Sequence, residues 1–563
     1  MKPGGEKLHL LWLPLLAISA AAFAAEVPFF FLGTPSGHDV EFHLYSWLEV
    51  LAQWKQGIVY PRWAALAHFG YGEPRFIFYP PASWAIGAAL SAIFPWTLVS
   101  CIYIWMVLVA AGISMFLLVR QWLPQRNAIF AAAFYAVNPY HLVIVYWRSA
   151  FAELLASCVL PLFLLVLLKA ADGKGRVIVP LALLLAAAWL INAPAAVMIH
   201  YSFFLLIAVL AWQRRRPQLL LVGGAAVALG AGLAAFYLMP AMYEQRWVNI
   251  AEAISAGSRP LDNFLFIHTT DAEHDAFNHL ISWLAVAEIG LVLIAAWTAK
   301  TLRKNNRELW NTLAVWAGVC GVLLFPVSAL LWNFAPKLRF MQFPWRWLLC
   351  LSFILSLFVA FGLRRWTTRA LVCVAMLLLI VFSWHHFQPP WWDTSSDLRE
   401  MQDNMLPDNM GAAAGYEGTD EYAPAGADPS AANKDKQARR VTVDGLEHAA
   451  IHVLQWDAES KRFTAEMSAP ARLALHLFNY PAWKVEVNGR VVQAGTREGT
   501  GQMLVPVEAG ANEVQITFAR TRDRKVGGWI SLITALSTMF WIAAAKARRR
   551  TSDLCPQPVV FEV

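Results

Sequence analysis

Charge is scarce in this chain. Asp, Glu, Lys and Arg make up only 15% of its 563 residues, against 58% hydrophobic ones, and a soluble protein of this size would expose more charge than that. Cysteine is nearly absent too. Cys101, Cys158, Cys320, Cys350 and Cys373 fall in apolar runs and Cys555 in the tail, a pattern with neither a disulfide framework nor zinc-ligand spacing. No G-x-x-x-x-G-K-[ST], G-x-G-x-x-G or H-E-x-x-H occurs, so nothing supports nucleotide binding or zinc proteolysis. The net charge of +7 does not indicate nucleic acid, because the basic residues sit in short loops between apolar runs, where they report topology. These absences leave a polytopic membrane protein.

Apolar segments of spanning length occur near residues 8–33, 97–119, 127–146, 152–169, 177–192, 193–212, 217–239, 280–298, 309–332, 345–363, 369–386 and 527–545. The first resembles a signal peptide at "AAFAA", but it continues through "VPFFFLG" to a length that spans a bilayer, so an uncleaved anchor is expected. The run 81–94, "PASWAIGAALSAIF", is shorter and suits an interfacial or re-entrant helix. If it does not cross, the pieces "MKPGGEK", "RQWLPQR", "KAADGKGR", "QRRRPQ", "KTLRKNNR", "RRWTTR" and "KARRR" are all cytoplasmic and hold 21 of the 45 Lys and Arg residues. Positive-inside counting therefore favours twelve spans with both termini cytoplasmic. The segment 177–212 strains this count, since two helices must turn at "NAPA" with almost no loop. The expected division is a transmembrane domain over 1–386 including the external loop 34–96, a linker over 387–440, an extracytoplasmic β-sandwich over 441–526, and a last span and tail over 527–563.

The linker is expected from composition, with "EGTDEYAPAGADPSAANKDKQ" reading as loop or partly disordered chain. After it, "HAAIHVLQW", "KRFTAEM", "ARLALHLFNY", "AWKVEVNGR", "GQMLVPV" and "NEVQITFAR" alternate with period two, and Asn488-Gly489 marks a hairpin tip. The sandwich reads first as a cap over the membrane site, with sugar contact by Tyr480 and Trp483 as the sharper alternative.

One stretch concentrates chemistry. "GHDVEFHLYSW" (37–47) places His38, Asp39, Glu41 and His43 just after the first span. Ser36 suits an N-cap, and Leu44, Trp47, Leu48, Leu51 and Trp54 recur at helical spacing, as in an amphipathic helix along the membrane surface. Asp39 and Glu41 lie about 200° apart on a regular helix, so the helix begins after Asp39 or only one acid is chemical; Asp39 is preferred. Topology places Arg62 and Arg75 outside as exposed cations, Arg148 and Glu153 at the exit of the third span, and Lys337, Arg339 and Arg346 in the loop "PKLRFMQFPWR". Each has an ordinary reading as a snorkelling side chain or ion pair. Together, outward cations around one acid offer a phosphate site beside a general base. Tyr79 and Gln342 join His38, His43 and Glu153 as supporting candidates. Glu288 and His200 lie inside spans and read as packing residues, and the histidines of "WHHF" (384–387) as interfacial. Asp39 with His43 makes a thin divalent-cation site, so no cofactor is expected.

An N-terminal span, an acid-bearing external loop and many further spans resemble the GT-C superfamily of integral-membrane glycosyltransferases, which use polyprenyl-phosphate-linked sugars outside the membrane. "GHDVEF" is similar to the acidic signature of that superfamily at Asp39 and Glu41, spaced here D-x-E rather than adjacent, and "YPPASWAIGAALSAIF" resembles its surface helix. More narrowly, "GHDVEFHL", "YPRW", "GYGEPRFIFYPP", "WRSAFAELLA" and "FMQFPWRW" resemble bacterial membrane proteins of the 6-pyruvoyl-tetrahydropterin-synthase-related family. "YPAWKVEVNGR" and "VGGWISL" are similar to the C-terminal end of a related family implicated in cell-envelope glycosylation. The resemblance implies an inverting transferase in the bacterial inner membrane, with its site and β-domain extracytoplasmic. It would move sugar from a polyprenyl phosphate to an envelope glycan, lipid or protein, with Asp39 as base, Glu41 as second acid, and Arg62, Arg75, Arg148, Lys337, Arg339 and Arg346 holding the donor phosphate. Membrane lipids are expected partners and nucleic acid is not. A transporter or flippase of lipid-linked saccharide, or a non-catalytic scaffold, are the alternatives. The scaffold predicts that Asp39, Arg148 and Arg346 do not converge.

Overall fold

A computed structural model describes residues 12–173, 177–386, 392–406, 414–434, 439–444 and 450–554, with 384–386 and 545–554 described in backbone only. The histidines of "WHHF", the N-terminal basic stretch and Cys555 lie outside the described side chains.

The chain is a polytopic helical membrane protein with C-terminal β-sheets. Among the described residues nine helices are long and apolar enough to cross a membrane, and two further pairs pass the same test but are bent, Gln218–Leu233 with Ala235–Trp247 by 76° and Arg307–Leu323 with Pro326–Phe334 by 92°. The second bend follows from Pro326, which holds Phe325 in an extended conformation because a residue before proline is disfavoured in the helical region. Helix Ile178–Ile191 has only 14 residues. It ends at Asn192, whose side chain accepts the Ala195 N–H at 2.9 Å and so caps the next helix, Ala193–Arg214. One residue serves as terminator and cap, which is how two helices turn within "NAPA".

The run at 81–94 forms the helix Pro81–Ile93, too short to span. It packs tightly on the helix Val40–Lys55: a Cβ on Gly87 would lie 2.1 Å from the Trp47 ring. Val40–Lys55 departs from the surface helix expected. Its polar residues Glu49 and Gln53 are buried along with Trp47 and Leu48. The cover on its polar side comes partly from the loop that follows it and partly from chain far away in sequence. Tyr416 stacks on Tyr45 with centroids 4.2 Å apart, and Glu49 accepts the Leu66 N–H at 2.6 Å.

Tyr416 belongs to the stretch expected to be a linker, and there the structure corrects the expectation. Strand β1 (Thr34–Pro35) pairs antiparallel with β2 (Trp392–Asp393). Thr394 and Asp397 form a capping box on the helix Ser395–Asp403, and Tyr422 stacks on Phe78. A few buried tyrosines fix this polar segment onto the first loop.

Two sheets follow. One holds β3 (Val441–Val443), β6 (Ala471–Phe478), β9 (Gly495–Thr496) and β10 (Gln502–Val507), and the other β4 (Ala450–Trp456), β5 (Ser460–Met467), β7 (Trp483–Val487), β8 (Arg490–Val492) and β11 (Gly510–Phe518). Asn488 and Gly489, with φ of 50° and 75°, make the β7–β8 turn, a conformation that matches strand twist. Inward residues of both sheets share one core with Trp63, Tyr71 and Phe78 of the first loop. Tyr480 and Trp483 are 1% and 8% exposed, and the Tyr480 hydroxyl donates to Glu244 at 2.6 Å. Both therefore act as packing residues, not as a sugar platform. Glu244 also takes two hydrogen bonds from Arg524, each 2.7 Å, which ties the sandwich to two spanning segments.

Candidate active site

Residues 37–39 are held non-helical by the exit of the third span. The His38 and Asp39 N–H groups donate to the Trp147 and Arg148 carbonyls at 3.3 and 2.8 Å. Gly37 permits this approach, since a Cβ there would lie 2.6 Å from the Arg148 and Ser149 backbone. The helix therefore starts at Val40 with Asp39, not Ser36, in the N-cap position. Asp39 leaves the helical frame that separates it from Glu41, and Glu41 sits exposed on the first turn.

The other side of the cluster is a π-helical turn, Ile144–Arg148, followed by left-handed Ser149. The Ser149 hydroxyl accepts the Gly37 N–H at 3.0 Å and donates to the Pro35 carbonyl at 2.8 Å. This anchored reversal brings Arg148 and Glu153 together. Arg148 Nη2 donates to Asp39 Oδ2 at 3.0 Å and Nη1 to Glu153 Oε2 at 2.6 Å. Arg346 Nε lies 3.2 Å from the same Glu153 oxygen, and the Tyr140 hydroxyl donates to Glu153 Oε1 at 2.7 Å. Arg148 lies 4.9 Å from the Trp345 ring centroid, a cation–π contact. Arg346 leaves a loop in which Lys337 and Gln342 both have positive φ, 62° and 64°. Left-handed non-glycine residues are strained and concentrate at functional sites, and here Ser149, Lys337 and Gln342 flank the two arginines.

Arg148, Glu153 and Arg346 are buried, whereas the Asp39 side chain is 31% exposed. Burial opposes ionisation of Asp39, but the Arg148 guanidinium outweighs it and holds the carboxyl well below the usual carboxylate range. Asp39 is thus held as the carboxylate, better placed to orient a hydroxyl than to take its proton while Arg148 remains fully committed to it.

His43 is a buried neighbour. Its Nε2 accepts the Phe151 N–H at 3.1 Å, so in the neutral ring Nδ1 carries the hydrogen and donates to the Tyr79 hydroxyl at 3.2 Å. Burial lowers His43 to about 4, against the pull of Asp39 and with help from Arg148 and Arg75. Both nitrogens are engaged, so the ring offers no lone pair to a cation beside Asp39. His38 is exposed, 3.6 Å from Asp39.

The remaining cations fall elsewhere. Arg75, expected to be exposed, is 1% exposed and paired with Glu73 at 2.6 Å. Arg62 is half-buried over the Tyr60 ring at 4.1 Å. Lys337 and Arg339 are exposed. Lys337 reaches Gln245 at 3.4 Å, and Gln342 accepts from Arg346 at 3.3 Å while donating to the Ala253 carbonyl. Sequence reasoning missed Tyr140, Ser149, Phe343 and Trp345, which position the charged groups. It also missed Asp393, a strand partner of Thr34 that burial raises to about 6 against a hydrogen bond from Ser36. A polar residue within a span, as at Tyr140, was the available signal.

Residues 76–389 match the 6-pyruvoyl-tetrahydropterin synthase related domain, a membrane protein family. No curated protein matches the chain. Among solved structures the chain is similar to the Archaeoglobus fulgidus oligosaccharyltransferase in its apo form, with TM-score 0.42 and 12% identity over 72% of this chain and 59% of that one. It is also similar to ArnT from Cupriavidus metallidurans bound to undecaprenyl phosphate, with TM-score 0.30 and 12% identity over 62% of this chain and 78% of that one.

Proposed function

This chain belongs to the 6-pyruvoyl-tetrahydropterin synthase related family of membrane proteins, and we propose that it is a glycosyltransferase of the bacterial inner membrane. Its donor is a polyprenyl-phosphate sugar, and its acceptor a hydroxyl of the cell envelope. One observation carries the reading. Asp39, Arg148, Glu153 and Arg346 form an unbroken chain of polar contacts of 3.2 Å or less, open to solvent at Asp39. The scaffold alternative predicts instead that Asp39, Arg148 and Arg346 lie apart.

The acceptor oxygen attacks the anomeric carbon while the bond from that carbon to the phosphate oxygen breaks, so the configuration inverts. The leaving phosphate keeps the bonding electron pair, and Arg148 and Arg346 stabilise its growing charge. Asp39 first orients the acceptor hydroxyl. As Arg148 turns part of its charge to the phosphate, the Asp39 carboxylate becomes more basic and takes the hydroxyl proton. Glu153 and Tyr140 hold the arginines in place and touch no substrate.

The test is mass spectrometry of envelope glycans in cells carrying the wild-type chain, no chain, or Asp39→Asn. The variant is expected to match the deletion while accumulating in the membrane at normal levels. Wild-type glycans in Asp39→Asn cells overturn the assignment.

A further inference from the structure

At the far end of the spans from Asp39 lies a second site of a different kind. The 27-residue helix Ala272–Thr298 starts beside the Asp39 cluster, where the Phe277 ring is 5.1 Å from Trp147 and 5.5 Å from Trp345. Thr298 is 21 residues further on, roughly 30 Å along a helix rising 1.5 Å per residue. There a trough of about 880 Å³ opens between this helix, Arg307–Leu323 and Leu348–Gly362, within the ~300–1,000 Å³ range of ligand sites.

Its walls are aliphatic and aromatic except at the mouth, where Lys300, Arg303 and Lys304 line it together. Small residues make the space: a Cβ added at Gly318 or Gly321 would meet nothing within 4 Å. The three cations are exposed. Lys300 lies over Trp297 at 4.4 Å and Arg303 over Trp310 at 5.0 Å, and among the described residues none of the three forms an ion pair. The nearby Glu308 is engaged by Arg214 at 2.7 Å and does not neutralise them. A trough of apolar walls under an uncompensated cationic rim, flanked by an interfacial tryptophan, matches one chemistry: acyl chains below and an anionic phosphate headgroup above.

We propose that this trough is a binding site for an anionic diacyl phospholipid on the face opposite Asp39, the face the basic loops assign to the cytoplasm. Lys300, Arg303 and Lys304 hold the phosphate, and the faces of Gly318 and Gly321 admit a chain between the helices. The site is independent of the proposed transfer reaction.

The experiment is native mass spectrometry of the full-length protein in detergent, titrated with phosphatidylglycerol or with phosphatidylcholine of the same acyl chains. With each basic residue near a headgroup worth about 1 kcal/mol, selectivity for phosphatidylglycerol is expected at about 10- to 100-fold. The triple variant Lys300→Gln, Arg303→Gln, Lys304→Gln is expected to bring the two lipids to parity. The control Arg215→Gln with Arg216→Gln keeps the preference. The pair Gly318→Leu and Gly321→Leu fills the trough and is expected to lower binding of phosphatidylglycerol while the cations remain, a second reading should the triple variant misfold. Equal binding of the two lipids by the wild type, or a preference that survives the triple variant or the filled trough, overturns the proposal.

Discussion

Two arginine–carboxylate clusters meet the first turns of the helix Val40–Lys55, and they are built to opposite ends. In the first loop Glu73 accepts Arg75 Nε at 2.6 Å, His68 Nε2 at 3.0 Å and the Thr419 N–H at 2.9 Å. Arg75 also donates to Ser46 and lies 4.4 Å over the Phe42 ring. His68 and Glu73 are fully buried and Arg75 is 1% exposed. Despite that burial, Arg75 and the hydrogen bonds lower Glu73 to about 2. The Asp39 cluster is wired differently. It opens to solvent at Asp39, shares the Glu153 carboxylate between two arginines, and sits against left-handed Ser149 and Gln342. Left-handed residues occur in both, His68 at φ 51° among them, so the contrast rests on access: a closed, satisfied ion cluster specifies a fold, whereas one open to solvent is arranged to exchange partners.

The largest expected effect breaks the closed cluster. Arg75→Met leaves Glu73 buried without its main counter-charge, and orphaning a buried partner in this way destabilises by about 3–5 kcal/mol. Thermal unfolding in detergent is expected to fall sharply, and a variant as stable as wild type makes the closed cluster dispensable. Arg346→Gln tests the other side. Glu153 keeps Arg148 and Tyr140, so no acid is orphaned and the unfolding midpoint is expected to move far less than in Arg75→Met. Sugar transfer is expected to fall by about 10²–10³, the loss seen when one preorganised donor to a developing anion is removed. Transfer within a few-fold of wild type would place Arg346 among the structural residues.

That difference between the clusters was only half legible in the chain. The spans, the sandwich strands and the Asn488-Gly489 turn follow from local periodicity and turn chemistry, and so they read directly. The meeting of Asp39, Arg148 and Arg346 followed from topology, because charges excluded from the spans collect at the same end. Which cations are free did not read. Arg75 looks exposed until Thr419 and Tyr416, more than 300 residues on, close over it, and the polar stretch that carries them has the composition of a linker. The helix Val40–Lys55 misled in a related way: the irregular loop after it folds back on Glu49, and Tyr416, far along the chain, stacks on Tyr45. Tyr140 gave only the signal of a lone hydroxyl in a span, which is ordinary until its acid partner is known.

Acid separates the clusters next. His43 sits beside Asp39 and is held near 4, below the ordinary value of about 6.5. Between those values the unfolded chain binds a proton that the folded chain refuses, so stability rises with pH through the window and is lost as pH falls from about 6.5 to 4. The loss amounts to about 3 kcal/mol from the size of the shift. Glu73 adds to the decline only at the acid end of that window, because its own loss begins as pH nears the ordinary glutamate value and continues down to about 2. Unfolding of wild type and His43→Gln at pH 7, 5.5 and 4.5 is expected to show a shallower decline in the variant. Parallel declines would assign the acid sensitivity to another group.

The smallest effect lies at the rim. Lys337 and Arg339 are exposed, and Arg339 lies 5.3 Å from the Phe340 ring centroid, so neither is fixed by the buried network that holds Arg148. An exposed charge of this kind attracts an anionic headgroup without gripping it, and its removal changes stability by no more than about 0.5 kcal/mol. The double variant Lys337→Ala, Arg339→Ala is therefore expected to raise KM for the lipid-linked donor about five- to thirtyfold, on the scale of about 1 kcal/mol per surface cation. Its kcat should hold, the signature of binding equal in ground and transition states. Initial rates over a range of donor concentrations separate the two constants. A fall in kcat comparable to that of Arg346→Gln would extend the open cluster outward to these residues, and the boundary drawn here at Arg346 would be wrong.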